Sequence, residues 1–141
     1  MFSTLVRRAL PVFIIFIVCV AVLSLAPRPV AASDNPAKLY YELTDAPTIV
    51  VDWNNGALQT VVLGGNRKVT FTGGQPGGYY MLSLIQDAHG SRTVTWPANV
   101  RYPGGDVPPT LTTTANKTDY IGFVYSGRSK TYDMLSMSQG Y

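Results

Sequence analysis

The sequence is poor in the residues that most enzymes use for catalysis and metal binding. Of 141 residues, one is a histidine, one is a cysteine and only 13% are charged. Because the cysteine, Cys19, lies in an apolar run near the amino terminus, residues 33–141 contain no cysteine and form no disulfide. Zinc sites need several His or Cys ligands, and residues 33–141 offer one. The sequence therefore predicts no metal and no cofactor.

Candidate catalytic side chains are few and scattered. His89 stands beside Gly90 in a predicted turn, where a solvated side chain is the ordinary outcome. Asp87, Asp106 and Asp119 lie at the ends of predicted strands or in loops, and no spacing pairs two of them as a glycosidase requires. We expect these three to be solvated turn acids. The chain is predicted not to be an enzyme, and a carboxylate-dependent hydrolase is the weakest hypothesis.

Acidic residues are absent from residues 1–32, which hold all of the excess positive charge. Arg7, Arg8 and Arg28 are three of the 11 Lys and Arg residues. The other eight are balanced by eight Asp and Glu residues in 33–141, which is formally neutral. A basic surface is the electrostatic requirement for binding nucleic acid. No nucleic-acid partner is therefore predicted.

Residues 1–32 have the pattern of an export signal. Basic residues precede an apolar run over 12–26, and the small residues before Ser33 predict cleavage between Ala32 and Ser33. The alternative is a signal anchor, because the 19 uncharged residues of 9–27 approach the length of a membrane-spanning apolar helix. In both cases we expect residues 33–141 outside the cell or at its surface, with membrane contact only through the leader.

Residues 33–141 alternate apolar and polar residues in short runs, which predicts a single all-β domain. An Asn-Gly pair at 55–56, between two such runs, is typical of a type I′ hairpin. Strands are predicted at 39–43, 48–53, 57–63, 67–72, 79–87, 92–96, 110–114, 120–125 and 130–136, the first in preference to a short helix over 35–42. Turns are predicted at 54–56, 64–66, 88–91 and 126–127, the first three as hairpins and the last as a closing hairpin.

The expected fold is an antiparallel β-sandwich or jelly roll of about seven to nine strands, with an N-terminal apolar helix. The run 79–87 is apolar on both faces, which predicts a central strand. Residues 97–109 are rich in Pro and Gly, so we expect them to cross between sheets or wrap an edge.

Tyrosine is the abundant aromatic residue, with nine in the chain. Adjacent strand residues point to opposite faces, so one member of Tyr40-Tyr41 and one of Tyr79-Tyr80 should look outward or toward a partner. We therefore take Tyr40, Tyr41, Tyr79 and Tyr80 as candidate binding residues. Three other aromatic residues share a face with the aliphatic residues of their strands and are expected in the core: Trp53, Trp96 and Phe123.

From about Thr44 to its end, the chain resembles a small all-β module found near the carboxyl ends of bacteriophage tail-fibre and other virion structural proteins. The resemblance is carried by residues 86–97, 100–105, 109–112 and 119–123 in that order and spacing. It implies assembly into an exterior protein surface and binding to a host surface, and it transfers no catalytic residue. The leader is a departure, which a cellular exported protein or a virion protein that passes through a membrane would explain.

Two hypotheses follow for the function. The first is a non-enzymatic structural or adhesive protein that self-assembles into a homo-oligomer or polymer, on a virion or in an extracellular filament or surface layer. Exposed strand edges or tyrosine-bearing faces would make the contacts, and residues 33–44 are the suspected pairing strand. The alternative is a secreted carbohydrate-binding module that recognises host-surface glycans through outward aromatic residues.

Overall fold

The computed structural model describes residues 39–105 and 107–141. The predicted leader, its apolar helix, the cleavage site at Ala32 and Ser33, and Asp106 lie outside the described residues. Within the described part of the chain there is no helix, and hence none long and apolar enough to cross a membrane.

The described chain is all-β, as predicted, and has nine strands. They are β1 (Tyr40–Glu42), β2 (Thr48–Asp52), β3 (Leu58–Leu63), β4 (Arg67–Thr72), β5 (Tyr79–Gln86), β6 (Val94–Thr95), β7 (Val100–Arg101), β8 (Thr118–Ser126) and β9 (Thr131–Ser138). The strand prediction at 39–43, preferred over a helix, is confirmed in β1. The predicted strand at 110–114 is absent, and the one at 92–96 shrinks to the two residues of β6.

The strands form two sheets with mostly parallel pairing. The larger has the order β1-β3-β5-β8-β9-β7 and the smaller has the order β2-β4-β6. From β1 to β6, consecutive strands alternate between the sheets, and each of the first four pairs in parallel with the strand two places further along the chain. The chain therefore winds as a stack of coils, each giving one strand to each sheet, as in a β-helix.

This pairing corrects the predicted antiparallel sandwich or jelly roll and its three early hairpins. The turns at 54–56, 64–66 and 88–91 join strands of different sheets, so they are arches. At the first arch neither Asn55 nor Gly56 has a positive φ. Instead, the buried Gln59 Nε2 donates to the carbonyls of Asp52 (2.6 Å) and Gly56 (3.1 Å). An arch and a hairpin need the same alternation, so the pattern alone did not separate them.

The C-terminal part has the antiparallel pairing that was expected. β8 pairs antiparallel with both β5 and β9, and β8 and β9 form a hairpin. β5 lies between β3 and β8, so the prediction of a central strand is confirmed. β7 lies within 97–109 at the edge of the large sheet, so this segment crosses from the small sheet and wraps an edge, as predicted.

Both sheets contribute side chains to one core. Trp53 follows β2 and packs on Tyr80 of β5 with ring centroids 4.9 Å apart, and Phe71 of β4 meets Phe123 of β8 at 5.1 Å. Trp53 and Phe123 are buried, and the half-buried Trp96 packs against the same core, so the predicted core aromatics are confirmed. On the outer face of the large sheet Tyr79 and Met81 are exposed, while Thr60 and Ser83 are buried.

Candidate functional site

The outer face of the large sheet carries a row of residues that runs across five strands. The register places Tyr40 beside Leu58, Leu58 beside Met81, Met81 beside Gly122, and Gly122 beside Ser136. Alternation along β5 explains which residues face outward. Leu82 and Leu84 point into the core, so Met81, which precedes Leu82, points to the outer face. The row contains no charged side chain.

An apolar groove of about 490 Å³ lies on this face, and we call it the Tyr79 groove. Its lining includes Leu39, Leu58, Tyr79, Met81, Gly122 and Leu135. Gly122 lines the groove, and a Cβ there would lie 2.8 Å from Ser136 Oγ.

The walls of the groove are unusually exposed for apolar side chains. Leu39 is 75% exposed, Tyr79 74%, Leu135 53% and Met81 41%. These are four of the ten large hydrophobic residues exposed in the described chain, gathered around one depression. Clustered apolar exposure of this kind marks an interaction surface, whereas scattered single residues do not.

A β-bulge brings Leu135 to the groove. Gly122 pairs with Ser136 and Phe123 pairs with Met134, so Leu135 has no residue opposite it in the ladder. The extra residue turns the side chain away from strict alternation. Sequence reasoning missed Leu135. The available signal was the pair of adjacent apolar residues Met134 and Leu135. Adjacent strand residues point to opposite faces, so one of these two apolar side chains had to face outward.

The four candidate tyrosines have different surroundings. Tyr79 is exposed and Tyr80 is buried, as alternation predicted for that pair. Tyr80 packs on Trp53, and its hydroxyl accepts a 2.6 Å hydrogen bond from the Gln75 backbone N–H. It is a core residue, 9% exposed, that also belongs to the lining of the Tyr79 groove.

Tyr40 and Tyr41 are both exposed, at 55% and 37%. Their strand, β1, is the edge of the large sheet, so no neighbouring strand shields them on that side. The structure thus brings Tyr79 into the groove and places Tyr40 in the row that leads to it.

A second groove lies near the β6–β7 connection. It measures about 400 Å³ and is lined in part by Trp96, Pro97, Tyr102 and Pro108. Tyr102 also borders a smaller depression of about 310 Å³ that contains Arg101, Asp133 and Met134. Arg101 and Asp133 form an ion pair there, and this contact holds the pKa of the Asp133 carboxyl below its usual range. Aromatic and charged groups therefore meet around Tyr102.

His89 and Asp87 stand together in the β5–β6 turn. His89 is exposed, as expected, with Nδ1 3.4 Å from Asp87 Oδ2. Asp87 is not the solvated acid that was expected, because Arg92 Nη2 binds it at 2.8 Å and the N–H groups of His89 and Gly90 donate to it at 3.0 Å. The Arg92 hydrogen bond, followed by those N–H groups, lowers the pKa of Asp87.

Asp119 also departs from the expected solvated acid. It is buried in β8, where its two oxygens accept hydrogen bonds from the N–H groups of Thr112 (2.7 Å) and Gly140 (3.0 Å). We call this arrangement the Asp119 clip. Its partners are backbone groups, so Asp119 is a structural residue. In the described residues no three His, Cys, Asp or Glu side chains group as a metal site would need.

Comparison with known proteins identifies the family. No curated protein matches the chain. The family model described as "Putative phage tail fibre C-terminal domain" matches residues 54–130, more than half of the chain. This confirms the resemblance seen in the sequence. The chain therefore belongs to the phage tail fibre C-terminal domain family, a structural and non-enzymatic kind of family whose members are virion components.

Proposed function

We propose that this protein is a structural virion component that is exported through its leader and self-associates by apposing Tyr79 grooves. The observation that carries the proposal is the exposed, uncharged groove on the outer face of the large sheet. Family membership supports the structural role, and the leader pattern of residues 1–32 supports export.

A second copy of the chain is the occupant that the groove fits best. The exposed Tyr79 ring projects beside the depression over Gly122, so each subunit carries a knob next to a hole. Two such surfaces can interlock about a twofold axis, because each subunit offers the same patch to the other. Burial of the apolar side chains would supply the free energy of association.

The experiment compares the double variant Tyr79→Ser/Leu135→Ser with the wild type by sedimentation velocity. Both side chains are exposed, so the fold should persist, while association should weaken about tenfold or more for each apolar side chain lost from the interface. Val62→Ser is the matched control, because Val62 is 48% exposed on β3 and does not line the groove. Unchanged association of the double variant would refute the role of the Tyr79 groove.

Carbohydrate binding is the second candidate function, and the groove at Tyr102 favours it. Sugars need an aromatic surface together with hydrogen-bonding side chains. The Tyr102 region has both, in Trp96 and in the Arg101–Asp133 pair, whereas the Tyr79 groove has almost no polar lining. Glycan-array binding that is lost in Tyr102→Ala and retained in Tyr79→Ala would support this function. Absence of binding to any glycan would remove it.

A further inference from the structure

The stack of coils is open at its N-terminal end. β1 is an edge of the large sheet, and β2, the next strand in sequence, is an edge of the small sheet. Together, residues 40–52 form the first coil. Among the residues that the structure describes, no strand lies beyond either of these edges. The first coil thus presents two open edges on the same side of the stack.

The hydrogen bonds between β2 and β4 show which backbone groups of β2 point away from the sheet. Pro47 O accepts from Lys68 N at 3.0 Å, and Trp53 N donates to Thr72 O at 3.0 Å. In a parallel ladder, alternate residues direct their N–H and C=O groups to the same neighbour. Ile49 and Val51, which lie between Pro47 and Trp53 in this phase, therefore bond to β4. The N–H and C=O groups of Thr48 and Val50 consequently point to the open side.

β1 has the same arrangement. Leu39 O accepts from Leu58 N, and Leu43 N donates to Thr60 O, both at 2.8 Å. By the same alternation Tyr41 bonds to β3, while the backbone groups of Tyr40 and Glu42 point outward. Within residues 39–105 and 107–141, two rows of donors and acceptors therefore have no partner at this end, one row from each sheet.

The sequence of β2 has few of the features that keep an edge strand from pairing with a strand of another chain. Its sequence, Thr-Ile-Val-Val-Asp, has no Lys and no Pro, and Val50 is 58% exposed. Edge strands that must stay unpaired are normally short, charged or interrupted by proline. The opposite edges both have those features, since β6 and β7 are two residues each and β7 carries Arg101 next to Tyr102-Pro103, whereas in the first coil only β1 is short and charged, with three residues and Glu42. The two ends are therefore not interchangeable.

The spacing of the coils limits what could cover the open end. Successive strands of one sheet are offset by 18 residues from Tyr40 to Leu58 and by 20 from Thr48 to Lys68. In the proposed exported form, cleaved after Ala32, six residues (33–38) precede Leu39, fewer than the 18 to 20 residues that separate successive strands of one sheet. The edges of β6 and β7 are too short to pair with β2 along its length.

We infer that the first coil pairs with the first coil of a second copy, each sheet continuing antiparallel across a twofold axis. This inference rests on the proposed self-association and adds a second interface to it. Placing Val50 on the axis sets Thr48 opposite Asp52 of the second copy, so the two Asp52 carboxylates lie at opposite ends of the pairing. With two different twofold interfaces, one subunit contacts two neighbours, and the product is larger than a dimer.

Val50→Pro tests this inference selectively. Proline removes one N–H and disfavours a helical conformation at the preceding residue, and the Val50 N–H does not serve the β4 ladder. We expect the exported Val50→Pro chain to fold, with species larger than dimers lost in sedimentation velocity. Val50→Thr keeps the N–H and is the matched control, expected to assemble as the wild type does. Persistence of the larger species in Val50→Pro would overturn the inference.

The Tyr79→Ser/Leu135→Ser variant separates this inference from the proposed function. If both interfaces exist, Val50→Pro leaves dimers formed through the groove, and the groove variant leaves dimers formed through the first coil. Combining the three substitutions should give monomers. Monomers from the groove variant alone would overturn the inference, while larger species from that variant would instead overturn the role of the groove.

Discussion

The two ends of the coil stack differ in how their backbone groups are satisfied. At the C-terminal end the β8–β9 hairpin continues the large sheet, β7 pairs with two residues of β9 at its edge, and the Asp119 clip holds Thr112 and Gly140. Tyr141 and Thr118 exchange two further backbone hydrogen bonds there, at 3.0 and 3.1 Å. The N-terminal end has the open edges of β1 and β2. The C-terminal end therefore stabilises the fold, and the N-terminal end offers a surface for association. Substitutions at the C-terminal end should reduce stability, whereas substitutions at the N-terminal end should reduce association.

The largest effect is expected from the core beneath the closed end. Phe123→Ala removes a ring that is 1% exposed and contacts Trp53 and Phe71, so it should lower the free energy of unfolding by about 3–5 kcal/mol. Urea unfolding followed by circular dichroism measures the loss. Val50→Ala at the open end is the comparison and should cost less than about 1 kcal/mol, because its side chain is exposed. Similar losses from both variants would remove the distinction between the ends.

The Asp119 clip should give the next largest effect. In Asp119→Asn, one carboxylate oxygen becomes an NH₂ group that cannot accept the hydrogen bond of Thr112 or Gly140, leaving a buried donor unpaired. We expect a loss of about 2–3 kcal/mol by urea unfolding. Asp133→Asn is the control, since its partner Arg101 is exposed and such pairs contribute at most about 1 kcal/mol. A loss no greater than that of the control would show that the clip does not secure the closed end.

Acid should affect the two ends unequally. Hydrogen bonds from Arg67 lower the pKa of Asp45, near the β1–β2 connection, and those from Arg92 lower the pKa of Asp87 further. A carboxyl with a folded-state pKa below its unfolded value stabilises the fold above the unfolded pKa, near 4, and this stabilisation is lost as pH falls through the folded value. Melting temperatures of Asp87→Asn should therefore fall less between pH 5 and about pH 2 than those of the wild type. The difference from the wild type in this fall of melting temperature should be smaller for Asp45→Asn. A larger difference for Asp45→Asn than for Asp87→Asn would contradict the prediction.

The smallest effect on stability should come from Val50→Pro. Because the Val50 N–H points away from β4, urea unfolding of the isolated subunit should change by less than about 1 kcal/mol. The control is Val51→Pro, in which proline removes an N–H that bonds to β4 and the buried Val51 side chain leaves the core, so a loss of about 3 kcal/mol or more is expected. Equal losses from the two prolines would show that the inferred phase of β2 is wrong.

The sequence predicted individual strands better than their partners. Alternation located eight of the nine strands and predicted that one member of Tyr79-Tyr80 faces outward, which is Tyr79. It could not distinguish an arch from a hairpin, because the pairing depends on contacts between strands far apart in the chain. The sequence predicts Asp119 as a turn acid, because its partners Thr112 and Gly140 approach it only in the folded chain. Leu135 was missed because the bulge depends on the register between β8 and β9.

Native mass spectrometry of the protein recovered from producing cells tests the central claim most directly. The claim is that an exported chain assembles through its groove and its open first coil. The expected result is complexes larger than dimers, in which each subunit has the mass of a chain that begins at Ser33. A monomer at every protein concentration would contradict the account, whatever the subunit mass.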